Sequence, residues 1–198
     1  MSVQEQATGY FRRVATLLDQ TEATDAEGRE VAFDEAADDV ARDFVEAART
    51  GRRVVLVGNG GSASIAGHME LDLATRLRAR ALVFNDPPVL TALANDHGYD
   101  SAFERMVSVW AEEGDRIVAI SSSGRSANIH RAIAAARDAG ARVVTMSGFD
   151  AANPLRSLGD VNFYVASSHY GEVEVAHHAL GHFLTDRASG LAEQGARA

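Results

Sequence analysis

The chain of 198 residues contains no cysteine, which excludes disulfides, thiolate metal sites and a cysteine nucleophile. Whatever chemistry it performs must use His, Asp, Glu, Ser and the backbone. Proline is scarce, at three residues, and low-complexity tracts are missing, so no linker is visible and one domain over residues 1–198 is predicted. No apolar run approaches the length that crosses a bilayer, and Met1 to Gln6 lack a basic stretch followed by an apolar one. The expectation is a cytoplasmic protein without a membrane partner. Basic residues are outnumbered, Lys+Arg 19 against Asp+Glu 28, and the formal charge of −9 repels nucleic-acid phosphates, so no nucleic-acid partner is expected. Any phosphate must be held by a local device. What is plentiful is ordinary: 46% hydrophobic and 24% charged residues place the chain among folded globular proteins.

The first fifty residues read as two amphipathic helices. Tyr10, Phe11, Val14, Leu17 and Leu18 share one face, and Phe33, Ala37, Val40, Ala41, Phe44 and Val45 the next. Thr21 to Arg29 between them reads as a polar connection. After Gly51 the pattern changes to short apolar runs separated by helical stretches: Val54 to Val57, Ala81 to Phe84, Ile117 to Ile120, Val143 to Met146 and Val161 to Val165. Such runs mark a parallel sheet buried on both faces. The predicted fold is therefore α/β, a three-layer αβα sandwich with a five-stranded parallel sheet over 51–198, preceded by the two helices of residues 1–50. Those helices offer more apolar face than five strands need, so they are expected to pack against other chains.

Two loops can hold a phosphate. The first runs Gly58-Asn59-Gly60-Gly61-Ser62-Ala63-Ser64 from a strand into a helix, where glycines permit tight turns and open amides attract an anion. Gly58, Gly60 and Ala63, with Asp86 after the second strand, also satisfy a dinucleotide fingerprint. The second loop is Ser121-Ser122-Ser123-Gly124-Arg125-Ser126, again between a strand and a helix. Four hydroxyls beside a helix start suit a phosphate monoester without a lysine. A dinucleotide has no use for this loop, so no nucleotide cofactor is expected.

His68 and Asp72 stand four apart on one helix, and Glu174, His178 and His182 form a four-apart row on the last, with His177 beside it. These are ligands that Zn²⁺ accepts, or an acid/base pair for moving a proton. Solvated helix-surface pairs are the alternative, since spacing alone does not bring two helices together.

With these residues in view, the chain resembles the sugar isomerase (SIS) domain family, and within it the phosphoheptose isomerases. Gly58 to Ala63 with His68 is similar to the family's first signature. Leu90-Thr91-Ala92 with Asn95 to Tyr99 and Phe103 resembles its middle motif, Ser121 to Ser126 with Asn128 its phosphate loop, and His177 with His182 its pair of histidines five apart. The resemblance implies an aldose/ketose isomerase for sedoheptulose 7-phosphate, flavodoxin-type strand order, and a homotetramer with sites at subunit interfaces. It also implies that Ser121, Ser123 and Ser126, with Ser62 and Ser122, hold the phosphate, and that Gly60 and Gly61 belong to the substrate loop. Asn59, Arg76 and Asp96 would contact the sugar, as would Glu174. Asp72 would move the proton, with His182 as the catalytic histidine. Zinc-binding members use the positions that here are His68, Asp72, Glu174 and His182, so a divalent metal, Zn²⁺ first, is implied. Three positions depart from the family: Asp72 is one methylene shorter than its Glu, Glu174 replaces a Gln, and Arg125 replaces an Asn. A non-catalytic phosphosugar-sensing or protein-binding module is the alternative, and His68, Asp72 and His182, which binding alone would not need, favour the enzyme.

Overall fold

A computed structural model describes residues 6–197; Met1 to Glu5, most of the stretch read above for a leader, lie outside it. In chain order the elements are α1 (Ala7–Asp19), β1 (Glu22–Asp25), β2 (Glu30–Val31), α2 (Phe33–Thr50), β3 (Arg53–Gly58), α3 (Gly61–Leu77), β4 (Arg80–Val83), α4 (Pro87–His97), α5 (Ala102–Trp110), β5 (Arg116–Ser121), α6 (Ala127–Asp138), β6 (Arg142–Gly148), β7 (Val161–Val165) and α7 (Tyr170–Arg197). Short 3₁₀ turns occupy Tyr99–Ser101 and Pro154–Ser157.

The sheet has seven strands rather than the expected five, in the order β2-β1-β7-β6-β5-β3-β4. The five apolar runs are the parallel strands β3 to β7. Numbered among themselves they run 2-1-3-4-5, the flavodoxin order. The two additional strands come from the segment read as a connection: β1 pairs antiparallel with β7, and β2 with β1. Polar residues hide them, since only Ala23 and Thr24 are buried, and the turn between them is closed by Asp25, whose Oδ1 accepts from the amides of Glu27 (3.0 Å) and Arg29 (2.9 Å).

Both faces of the sheet are covered, which is why the central strands are apolar throughout. Val54 and Leu56 of β3 join one core with α2, α3 and α7, and Val55 and Val57 join the other with α5 and α6. Phe44 of α2 is fully buried in the first core, and removing its ring would cost about 3–5 kcal/mol. The face of α2 is thus used within the chain. On α1, by contrast, Phe11 remains 65% exposed. Among the described residues no helix is long and apolar enough to cross a membrane.

β3 and β5 are neighbours, yet α3 follows β3 onto one face and α6 follows β5 onto the other. A crevice opens where adjacent strands send their helices to opposite sides, and ligands of open α/β sheets bind there.

Candidate active site

The first loop leaves β3 at Gly58, where a side chain would not fit: a Cβ there would stand 2.7 Å from the backbone carbonyl carbon and oxygen of Ser62. Gly60 takes φ +54° and α3 begins directly after it. The second loop leaves β5 and is held down from β6. The Ser122 carbonyl accepts from the Gly148 amide at 3.1 Å and from Asn153 Nδ2 at 3.0 Å, and that nitrogen also donates to the Gly148 carbonyl at 2.7 Å. Asn153 Oδ1 packs on Gly124, whose φ of +63° and missing side chain make the contact available.

The two loops are tied to each other by amides. Asn59 and Asn128 exchange hydrogen bonds at 3.0 and 2.9 Å, and the Tyr99 hydroxyl donates to Asn59 Oδ1 at 2.6 Å. Between the loops lies a cavity of about 110 Å³ lined by Asn59, Ser62, Ser121, Ser122, Ser123, Ser126, Ile120, Tyr170 and Glu174. No Lys or Arg lines it, so an anion there would be held by hydroxyls and by the first-turn amides of α6. Ser126 caps α6 without using its hydroxyl on those amides. Ser121 Oγ accepts from the Gly124 amide at 3.2 Å and Ser123 Oγ from the Arg125 amide at 3.3 Å. Ser122 is only 4% exposed, and its Oγ has no hydrogen-bond partner among the described residues. A buried hydroxyl left unpaired costs about 1–3 kcal/mol.

From the cavity α3 and α7 descend side by side. Gly61 touches the Glu174 carboxylate, Met69 packs on Gly181, and Arg76 pairs with Asp186. Between these contacts sits the histidine cluster. Asp72 Oδ2 lies 3.4 Å from His182 Nδ1 and 3.7 Å from His68 Nε2, and it accepts from Thr185 Oγ1 at 3.3 Å. The His68 ring stands 4.6 Å from that of His182 and 5.3 Å from that of His178, and the rings of His178 and His182 stack at 5.1 Å. Burial, and then the neighbouring imidazoles of His182 and His68, hold His178 below the ordinary histidine value. His177 points the other way: fully buried, it meets the Ser147 carbonyl through Nε2 at 3.0 Å, and burial pushes its pKa down to about 4.

This arrangement can be set beside known proteins. The SIS domain family matches residues 9–148. The phosphoheptose isomerase of Pelobacter propionicus is 36% identical over 154 residues, 75% of this chain and 81% of that protein, and the one of Rhodospirillum rubrum is 37% identical over 142 residues, 69% and 75%. In structure the phosphoheptose isomerase of Neisseria gonorrhoeae superposes with a TM-score of 0.80 at 26% identity, over 96% of this chain and all of that one. The chain belongs to the phosphoheptose isomerase family of SIS domains.

Of the positions that this family implies, the structure gathers Asn59, Ser62, Ser121, Ser122, Ser123, Ser126 and Glu174 around one cavity, with Gly61 against the Glu174 carboxylate, and His68, Asp72 and His182 together further along α3 and α7. Four residues stand apart from this gathering. Glu174 is not with the histidines: Gly61 has no Cβ to exclude its carboxylate, which turns up into the serine cavity. His178, absent from the implied metal set, takes the neighbouring place, and its ligand atom lies within 4.8 Å of those of His68 and His182. Arg76 and Asp96 do not reach the cavity. The first is held by Asp186 one turn beyond Asp72, and the second lies exposed on α4, accepting from Asn95 at 2.9 Å. Asp86 of the dinucleotide fingerprint caps α4, accepting from the Val89 amide at 3.2 Å. Tyr99, Asn128 and Tyr170 carry no local sequence signal for the roles they take here, apart from the first two standing inside the family's motifs.

Proposed function

We propose that this protein interconverts a ketose phosphate and its aldose, sedoheptulose 7-phosphate and a heptose 7-phosphate, by proton transfer through an enediol. The observation that carries the reading is the cavity of serines at the start of α6, with the Asp72–His182 pair further down the two packed helices α3 and α7. Helical rise measures the separation. His68 is seven residues past Gly61 and His182 eight past Glu174, about 10–12 Å along the two helices. An extended chain advances about 1.2 Å per bond, and eight bonds join the phosphorus of a heptose 7-phosphate to C1, about 10 Å. A triose phosphate, with four bonds, falls short.

With the phosphate among the serines, the carbonyl end reaches Asp72 and His182. Asp72 removes the proton from the carbon beside the carbonyl and returns it to the next, while His182 moves the proton between the two oxygens. Thr185 and the two imidazoles hold the Asp72 carboxylate in place. A divalent cation held by the neighbouring imidazoles would polarise those oxygens in place of the His182 proton, with Asp72 still the base. A purely sensing module would have no use for this cluster. The serine cavity also opens beside Tyr170, and a larger groove of about 740 Å³ runs from there along Tyr10, Phe11 and Arg13 of α1. Phe11 and Tyr170, 65% and 61% exposed, support burial of this face in a homotetramer, and a cysteine-free enzyme of sugar phosphates fits the cytoplasm.

The test is a panel of sugar phosphates incubated with the protein in D₂O and followed by NMR. Aldose formation with deuterium at C2 is expected from sedoheptulose 7-phosphate. No exchange and no aldose from any member of the panel would overturn the reading.

A further inference from the structure

We propose that a divalent transition cation of the Zn²⁺ class is held here by three imidazoles, those of His68, His178 and His182, so that His178 takes the ligand place that the resemblance gives to Glu174. The three side chains come from one turn of α3 and two successive turns of α7, and their ligand atoms lie within 4.8 Å of one another. That spacing needs only small side-chain rotations to bring three nitrogens to the roughly 2 Å bonds that Zn²⁺ forms with imidazole.

Glu174 is drawn away from this set. Its carboxylate lies over Gly61, at the opposite end of the first turn that separates it from His178, and faces the serines. Bringing it to the histidines would reverse that direction. Asp72 supplies the carboxylate instead, its Oδ2 3.4 Å from His182 Nδ1 and 3.7 Å from His68 Nε2, the kind of partner that orients a metal-binding imidazole. The donor set is three nitrogens and no thiolate. It suits Zn²⁺, Co²⁺ and Ni²⁺ better than Mg²⁺ or Ca²⁺, which prefer oxygen. Three protein ligands leave a position open, and the His68 and His182 side chains, 42% and 44% exposed, leave the cluster open to solvent. The use of the cation in catalysis rests on the isomerase reading above; its binding does not.

The experiment titrates the full chain, purified without a histidine tag and stripped with a chelator, with Co²⁺. The visible d–d bands of low-coordinate cobalt report the site, and competition with Zn²⁺ gives its affinity. One equivalent per chain is expected. His178→Ala and the bulkier His178→Gln should each weaken binding by more than about a hundredfold, beyond what loss of a merely supporting partner costs. Glu174→Gln should leave the bands and the affinity unchanged. Circular dichroism and melting temperature establish that each variant is folded. Absence of saturable Co²⁺ or Zn²⁺ binding by the wild-type chain, or loss of binding in Glu174→Gln with retention in both folded His178 variants, would overturn the proposal. A wild-type chain that binds cobalt as described and isomerises no sugar phosphate would leave this site standing and remove the isomerase reading; an active enzyme that binds no cation would do the reverse.

Discussion

Ser122→Ala separates a binding role from a folding role, because the two move in opposite directions. In the ligand-free chain the Ser122 hydroxyl is buried without a partner, while its carbonyl is fixed by Gly148 and Asn153. Removing the hydroxyl leaves those backbone bonds intact and takes away a group whose unpaired burial costs about 1–3 kcal/mol. The ligand-free variant is therefore expected to melt at or above the wild-type temperature, by about 2–4 °C per kcal/mol for a chain of this size. Bound phosphate would instead lose a charge-assisted hydrogen bond of about 1.5–3 kcal/mol, which raises Kd roughly 10- to 150-fold. At a ligand concentration of about a hundred times the wild-type Kd, ligand stabilises the wild-type chain by about 2.7 kcal/mol, and a variant with a hundredfold weaker site by about 0.4 kcal/mol. Scanning calorimetry with and without sedoheptulose 7-phosphate, or inorganic phosphate as the minimal probe, reads both quantities. Ser121→Ala is the control, since its hydroxyl accepts from the Gly124 amide at 3.2 Å and its loss should lower stability even without ligand. A ligand-free Ser122→Ala protein that melts several degrees below wild type, yet keeps the full ligand-induced shift, would refute the reasoning.

His177 is buried uncharged with its pKa pushed down to about 4, whereas the unfolded chain binds that proton near pH 6.5. Stability is therefore complete above about pH 6.5 and falls as the pH drops toward 4, by on the order of 3 kcal/mol; urea unfolding at several pH values should show this slope in the wild type and lose it in His177→Gln. Gly58→Ala places a Cβ 2.7 Å from the Ser62 backbone and should destabilise by about 1–3 kcal/mol or more in the same assay, whereas Gly61→Ala meets only the movable end of Glu174 and should stay folded. Asp72→Asn keeps the shape of the cluster but removes the base, so kcat should fall by about 10²–10⁴-fold with phosphate affinity unchanged, and equal kcat in the variant would exclude Asp72 from proton transfer.

How much of this was legible in the sequence follows the range over which each signal acts. The five parallel strands were readable because burial on both faces forces a continuous apolar run, and each observed strand starts or ends within two residues of its run. β1 and β2 were not. They lie at the edge, mix Glu22, Asp25 and Glu30 with the buried Ala23 and Thr24, and are too short for alternation to show. Asp25 with Gly28 was the available turn signal. The serine loop was readable because its hydroxyls are neighbours in sequence. The histidine cluster was half readable: four-apart spacing set His68 with Asp72, and His178 with His182, on their helix faces. That α3 meets α7, about a hundred residues later, is a tertiary fact. The choice between Glu174 and His178 turns on something finer, the missing side chain of Gly61, which lets a carboxylate fold back over the start of α3.

The same geometry explains why two helices, rather than loops, carry both ends of the site. α3 and α7 each begin at the carboxyl end of a parallel strand, so the sheet fixes where they start, and their packing on one another fixes how they descend. The distance from the serine cavity to the His/Asp cluster is then a count of helical turns, which cannot be stretched by rearranging a loop. Loop variation, such as Arg125 beside the serines, can alter affinity for the phosphate end without moving Asp72 or His182. Conversely, Asp72, where the resemblance implies Glu, would withdraw the proposed base by one methylene on a scaffold that does not follow it. Glu174, where the resemblance implies Gln, puts a carboxylate in the serine cavity, where it would disfavour a phosphate dianion and favour a hydroxyl donor. Restoring the longer carboxylate with Asp72→Glu should therefore change kcat while leaving phosphate affinity alone, and Glu174→Gln should tighten phosphate binding while leaving the acid/base pair in place. If instead both substitutions altered Kd and kcat together, the two ends of the groove would be coupled through more than helix length, and the rigid ruler drawn from α3 and α7 would fail.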